Sequence, residues 1–272
     1  MTQTIAFWAA TTCYALSAAL FFGWAAFRKD RAGAWARALA GLGLVPHAAA
    51  LALRWQEVGH GPFSSRYEVL SANAFLLVVL YFASTLFSKG IRPLGAFAMP
   101  VVFLMMGWAV DTYGVRNEVP VIFRSYWLYL HIGFAKLFGG TTVLAAACAG
   151  AYLAKEGRPG RLERFPPAEK LDLYAHQLLL VAFLFLGVMI AAGSLWAHQS
   201  WGRYWAWDPI ETSALATWVA YGVILHLRVL HGWSGRRMAW LTLVAFALMV
   251  VTLYVVVLVT PTIHDFYMVG PR

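Results

Sequence analysis

Long apolar runs separated by short polar gaps recur along the whole chain. They fall near residues 4–27, 36–54, 68–87, 91–110, 126–153, 174–196, 211–231 and 237–260. Each is close to the roughly 20 apolar residues that a helix needs to cross the hydrocarbon core of a bilayer. Lipid offers no partner to open backbone groups, and a helix satisfies its own, so each run is predicted to be helical. The pattern predicts an all-α polytopic membrane protein with about eight transmembrane helices.

The polar gaps orient those helices. Alternate gaps and ends carry 14 Lys and Arg on one side, against 6 on the other, with Lys136 inside a span. The positive-inside rule places the 14-charge side in the cytoplasm and both termini outside it. The first run is not read as a removable signal peptide, because its basic residues Arg28, Lys29, Arg31 and Arg37 follow it. The longest inner gap, 154–173, "AKEGRPGRLERFPPAEKLDL", has the proline, glycine and charge of a solvated linker. It divides a single transmembrane domain, 1–272, into a five-helix part over 1–153 and a three-helix part over 174–272.

Composition agrees: 61% of residues are hydrophobic and 12% charged, where a soluble domain has about a quarter charged. The inner bias accounts for the net charge of +9 and gives no reason to invoke nucleic acid. Cys13 and Cys148 each stand alone in a span, so no Cys-x-x-Cys pair is available for redox chemistry or zinc.

Two outer gaps begin helices in a readable way. Ser65 and Glu68 fit a capping box for the third helix. In "WGRYWAWDPIE" (201–211), Asp208 suits the cap of the seventh helix, Pro209 its first position and Glu211 the third after the cap. Capping does not explain the aromatics. Trp196, Trp201, Trp205 and Trp207 fall within 12 residues of a chain with 13 tryptophans, denser than an interfacial belt requires. If the segment is helical, Trp201, Trp205 and Asp208 share a face. The result would be a flat apolar platform edged by charge, suited to a porphyrin, a quinone or a lipid headgroup, with an interfacial belt as the equal alternative.

Ionisable groups within spans are costly and usually functional, which makes the histidines informative. His131, in "SYWLYLHIGF", lies about 8 Å into the fifth helix, and His264, in "PTIHDF", just past the outer end of the eighth. Both are at the level of the tryptophan segment, and two neutral imidazoles facing each other supply what porphyrin iron needs axially. His226 lies roughly 23 Å into the seventh helix, too deep to share an iron with His47, about 10 Å into the second. His226 could instead pair with His176 or with a histidine of another subunit. His60, His198 and His231 are read as solvated or interfacial.

The stretch "WGRYWAWDPIETSALATWVAYGVILHLR" resembles the tryptophan-rich WWD motif of the haem-handling membrane proteins of cytochrome c biogenesis. With "RWQEVGHGPFSSRYE" (54–68), "SYWLYLHIGF" (125–134) and "IHDF" (263–266), it looks most like the CcsA (ResC) type of the System II cytochrome c synthase. The chain departs from that pattern at Asp265, Phe266 and Lys136. The resemblance implies that His131 and His264 ligate the iron of haem b on the outer face. It implies that Gly202, Trp201, Trp205, Trp207 and Asp208 belong to the segment that holds the ring. It further implies a second, intramembrane haem site at His226, completed by a CcsB (ResB)-like membrane partner; His47 is a weaker candidate.

The implied activity is presentation of haem for thioether attachment to the Cys-x-x-Cys-His (CXXCH) segment of apocytochrome c, by positioning rather than acid–base catalysis. A separate thiol-reducing protein would keep the cysteines reduced. The expected location is the bacterial cytoplasmic membrane with the active face outside, or the thylakoid membrane in a plastid. Two other functions fit the same residues: a HemX-like protein acting on tetrapyrrole synthesis, and a haem transporter.

Overall fold

The structure is a computed structural model describing residues 2–27, 30–115, 119, 123–157 and 162–262. His264 lies outside them, as does the rest of the chain beyond Thr262. The helices are α1 (Thr2–Phe27), α2 (Asp30–Val58), α3 (Arg66–Phe87), α4 (Gly95–Ala109), α5 (Tyr126–Glu156), α6 (Ala168–Trp201), α7 (Pro209–His231) and α8 (Arg236–Val250). A 3₁₀ segment, Lys89–Leu94, leads into α4, and α8 continues through a π-helical turn, Val251–Val255, into Val256–Val259. Among the described residues there is no strand, and eight helical segments are long and apolar enough to cross a membrane.

Local chemistry sets the helix ends. α6 stops at Gly202, which takes φ +72°, and α7 stops at Gly232, with φ +63°. A side chain at either position would be strained in this left-handed region. The capping box of α7 forms as its sequence suggests, from Asp208 and Glu211. At α3 only half of the expected box forms. Ser65 accepts the Glu68 amide at 3.3 Å, but the Glu68 carboxylate goes elsewhere. It accepts Arg54 Nε at 2.9 Å, the Ser64 amide at 2.9 Å and Ser64 Oγ at 3.1 Å. Arg54 and Glu68 are 2% and 0% exposed, and a buried guanidinium demands a charged partner more than the Ser65 amide demands a carboxylate.

The chain divides into two compact units. The first comprises residues 1–116 with 160–166, and therefore α1–α4; the second comprises 117–159 and 167–272, and therefore α5–α8. The packing division thus precedes α5 rather than following it at the 154–173 linker. The linker's polarity marks where the chain is solvated, whereas the packing partners of α5 are α6 and α8.

Within the first unit, Phe165 packs on Trp24 and Phe97. Within the second, buried Tyr221 of α7 bonds Thr142 of α5 at 3.1 Å and donates to the Ala245 carbonyl of α8 at 3.0 Å. Thr252, in the π-helical turn, joins α8 to Thr217 of α7 at 2.8 Å. Such single π-helical turns inside an α-helix are rare and often lie near functional sites.

Candidate haem-binding cleft

The second unit contains a cleft between α5, α6 and the start of α7. Its walls include His131, Met189, Trp196, Trp201, Trp205 and Glu211. The empty space, counting the open mouth, is about 430 Å³.

His131 is fixed by a backbone contact: its Nδ1 lies 2.8 Å from the carbonyl oxygen of Met189 in α6. A carbonyl can only accept, so Nδ1 carries the proton, and in the neutral ring Nε2 is then the nitrogen with the lone pair. That is the tautomer a metal-ligating imidazole adopts when its other nitrogen donates to the protein. Among the described residues no group of three or more His, Cys, Asp and Glu side chains is arranged to hold a metal ion.

The aromatic wall is built in two layers. Trp196 is buried, packs against Phe123 at 5.6 Å, and meets Trp201 edge-on at 4.9 Å. Trp205 and Trp207 form a second edge-on pair at 5.8 Å and 87°. The residues between Gly202 and Asp208 are not helical, so the helical face expected for Trp201, Trp205 and Asp208 does not exist as such. Trp201 and Trp205 still reach one cleft, because the left-handed Gly202 turns the chain back across it. Trp205 Nε1 is buried and has no hydrogen-bond partner among the described residues. A donor left so costs about 1–3 kcal/mol, which fits a wall completed by something bound against it.

Glu211 holds this loop. One carboxylate oxygen accepts the amides of Ala206 at 2.8 Å and Asp208 at 3.2 Å, while Asp208 Oδ1 accepts the Ile210 amide at 2.9 Å. Trp207, between those two amides, has φ +59° and is 69% exposed. Positive φ in a bulky residue is a backbone cost that tends to persist at functional sites.

The remaining predicted residues fall elsewhere. His226 lies exposed on α7, and its ring neighbour is His231, with centroids 6.1 Å apart. His176 of α6 has a buried Nδ1 with no hydrogen-bond partner among the described residues. Near that end of the unit, Asp172 of α6 accepts Arg228 Nη1 of α7 at 2.6 Å. His47 is fully buried in the first unit, with Tyr14 at 3.1 Å from Nδ1 and Ser71 at 3.0 Å from Nε2. His198 stacks on Tyr204, with ring centroids 4.1 Å apart.

Met189, Gly193, Tyr204 and Glu211 line the cleft without having been assigned to it from the sequence, and Trp196, counted in the tryptophan cluster, lines it with them. A backbone acceptor such as Met189 leaves no mark in a sequence. The glycine at 193, inside a long helix and three residues before Trp196, was the readable sign.

The arrangement is that of a multi-span helical protein with an imidazole and indole cleft at the junction of α6 and α7. The family described as "Cytochrome C assembly protein" matches residues 63–264, and the chain belongs to it. It is 32% identical over 209 residues to the "Cytochrome c biogenesis protein CcsA" of Chlamydomonas reinhardtii, covering 72% of this chain and 58% of that protein. With the CcsA of Parasynechococcus marenigrum it shares 32% over 234 residues, 74% of this chain and 76% of the relative. Among solved structures it is similar in fold to "Cytochrome c Heme Lyase CcmF". The TM-score is 0.68 at 18% identity, covering 92% of this chain and 46% of that one. The chain therefore spans less than two-thirds of the Chlamydomonas protein's length and under half of CcmF.

Proposed function

We propose that this chain acts in cytochrome c biogenesis. It binds haem b as a substrate in the α5–α6–α7 cleft and presents it to apocytochrome c, as the haem-handling part of a holocytochrome c synthase. The observation that carries this reading is the His131 imidazole, held through Nδ1 by the Met189 carbonyl, in a cleft walled by tryptophan. The similarity to CcsA, named for cytochrome c biogenesis, and the fold shared with CcmF, named a heme lyase, support it.

In this reading His131, through Nε2, and His264 would hold the haem iron. Trp201, Trp205 and Trp207 would grip the ring. Gly202 turns the segment over the cleft, while Asp208 and Glu211 hold it there. Each thiol of a CXXCH segment adds across one vinyl group. A C–S bond forms, the thiol hydrogen passes to the other vinyl carbon, and no net oxidation occurs. The chain's part is therefore to hold and orient both reactants. With no cysteine pair of its own, it relies on a separate reductant for the client thiols.

His226 is assigned to a second, intramembrane haem site, its opposite ligand coming from a CcsB-like partner, because it faces out from α7 within a span. His47, with both nitrogens hydrogen-bonded in the core of the first unit, is assigned to packing. The protein sits in the bacterial cytoplasmic membrane or the thylakoid membrane, with the cleft on the side away from the 14 basic residues.

Co-expression of the chain with a CcsB-like partner and a CXXCH apocytochrome tests the function. Covalent haem on the client that depends on the chain supports it. Haem flux into sealed vesicles without covalent product would assign a transporter instead, and a change in tetrapyrrole levels alone would assign the HemX-like role.

A further inference from the structure

A glycine inside a long helix needs a reason, since it costs roughly 1 kcal/mol relative to alanine. Gly193 lies in the interior of the 34-residue α6. A Cβ at 193 would stand 2.6 Å from His131 Nδ1, 2.9 Å from its Cε1 and 3.5 Å from its Cγ. The first two are closer than real methyl contacts, and the neighbour is a rigid ring rather than the end of a flexible chain. Gly193 is the tightest of the helical glycines described in this unit: Gly187 would stand 3.0 Å from Trp218 Nε1, and Gly133 and Gly150 of α5 would meet no heavy atom within 4 Å.

The ring pressed against Gly193 is the one whose Nδ1 donates to the Met189 carbonyl at 2.8 Å. That carbonyl is four residues before 193, so in an α-helix it also accepts the Gly193 amide. The imidazole reaches this acceptor through the space over residue 193 that a side chain would occupy. We propose that Gly193 is a positioning residue for His131. Its missing side chain admits the imidazole to the Met189 carbonyl, and this contact puts the proton on Nδ1, so that in the neutral ring Nε2 is the nitrogen that could ligate a metal.

The inference rests on the haem-binding reading for its consequence, but the contact itself does not require haem. Donation from Nδ1 to a carbonyl makes an imidazole a more basic ligand and fixes its plane. A ring pushed off α6 loses both.

The experiment uses the full chain with Gly193→Ala, with Gly150→Ala as a glycine-to-alanine control. Isotope-labelled histidine NMR of the haem-free protein reads the His131 tautomer. The wild type and Gly150→Ala are expected to show protonated Nδ1, and Gly193→Ala to lose that signature. In haem-loaded protein, Gly193→Ala is expected to lose the six-coordinate spectrum or to raise the reduction potential, because a less basic ligand stabilises ferric iron less. In a His131→Ala background, adding Gly193→Ala is expected to change neither quantity further, since the two act as one unit.

A Gly193→Ala protein with the wild-type His131 tautomer overturns the proposal, and so does an equal effect of Gly193→Ala with His131 already removed. If the tautomer changes as stated while the wild type takes up no haem, the positioning role stands and the haem reading fails.

Discussion

The Glu211 carboxylate accepts the Ala206 amide at 2.8 Å, and the same oxygen accepts the Asp208 amide two residues later at 3.2 Å. Both N–H groups can point at one oxygen because Trp207, between them, adopts a left-handed backbone at φ +59°. A capping interaction that only starts a helix elsewhere here also turns an indole outward beside the cleft. Left-handed backbone costs a non-glycine residue roughly 1–2 kcal/mol, and Trp207, at 69% exposure, recovers little of that by burial within the chain.

Trp207 therefore separates stability from function. Trp207→Gly is expected to be more stable than Trp207→Ala by about 1 kcal/mol, since only glycine relieves the backbone strain. Both substitutions are expected to lower haem retention. Thermal unfolding in detergent and haem content per protein check the pair. A Trp207→Gly protein no more stable than Trp207→Ala would show that the left-handed turn carries no cost.

Glu211→Gln keeps the shape but removes the charge from two amide contacts. Charge-assisted hydrogen bonds are worth about 1.5–3 kcal/mol each in favourable settings, so a loss of about 1–2 kcal/mol is expected. Tryptophan fluorescence should shift as the 202–208 segment loosens. Unfolding midpoints and emission maxima measured together test this, and an unchanged emission maximum would count against the clamp.

Arg54 and Glu68 form the corresponding anchor of the first unit. Arg54 also donates through NH2 to the Val115 carbonyl and lies over the Tyr67 ring at 5.8 Å. Removing one partner of a buried pair strands the other charge, at a cost of about 3–5 kcal/mol. Arg54→Met and Glu68→Leu are each expected to lose that much, and the double substitution to lose less than either single one. A double-mutant cycle measures it, and additive losses would contradict a coupled pair.

Two histidines should behave oppositely. His47→Ala leaves Tyr14 and Ser71 without their shared partner and is expected to cost about 2–4 kcal/mol, with an unaltered haem spectrum in the folded fraction. His226→Ala, on an exposed face of α7, is expected to change stability by no more than about 0.5 kcal/mol. It should nevertheless reduce haem loading when the CcsB-like partner is present. Unfolding curves and haem spectra of both variants decide the assignments.

Most of the architecture was legible because lipid leaves a helix few alternatives. The eight apolar runs appear as eight spanning helical segments, several extending beyond the runs at their polar ends, as α6 does over 168–201. The cap at Asp208 was readable from residue order alone. The shape of the tryptophan segment was not, because it depends on where α6 stops, and Gly202 in its left-handed turn puts that point before Trp205 rather than after it.

Glu68 was misdirected for a related reason. Its position suits a capping box, but a buried guanidinium fourteen residues away claims its carboxylate. The placement of His131 depends on the carbonyl of Met189, 58 residues away, which no side-chain pattern announces. His47 reads as a costly intramembrane histidine, and its compensation comes from Tyr14 and Ser71 on two other helices.

The most direct measurement is the absorption spectrum of the full chain purified from a haem-producing host, alone and co-expressed with a CcsB-like protein, beside His131→Ala and His264→Ala. The expected result is a six-coordinate bis-imidazole spectrum in the wild type that collapses in each variant and returns in part when free imidazole is supplied. A wild type without a Soret band, or variants that keep the wild-type spectrum, would contradict haem ligation by this cleft.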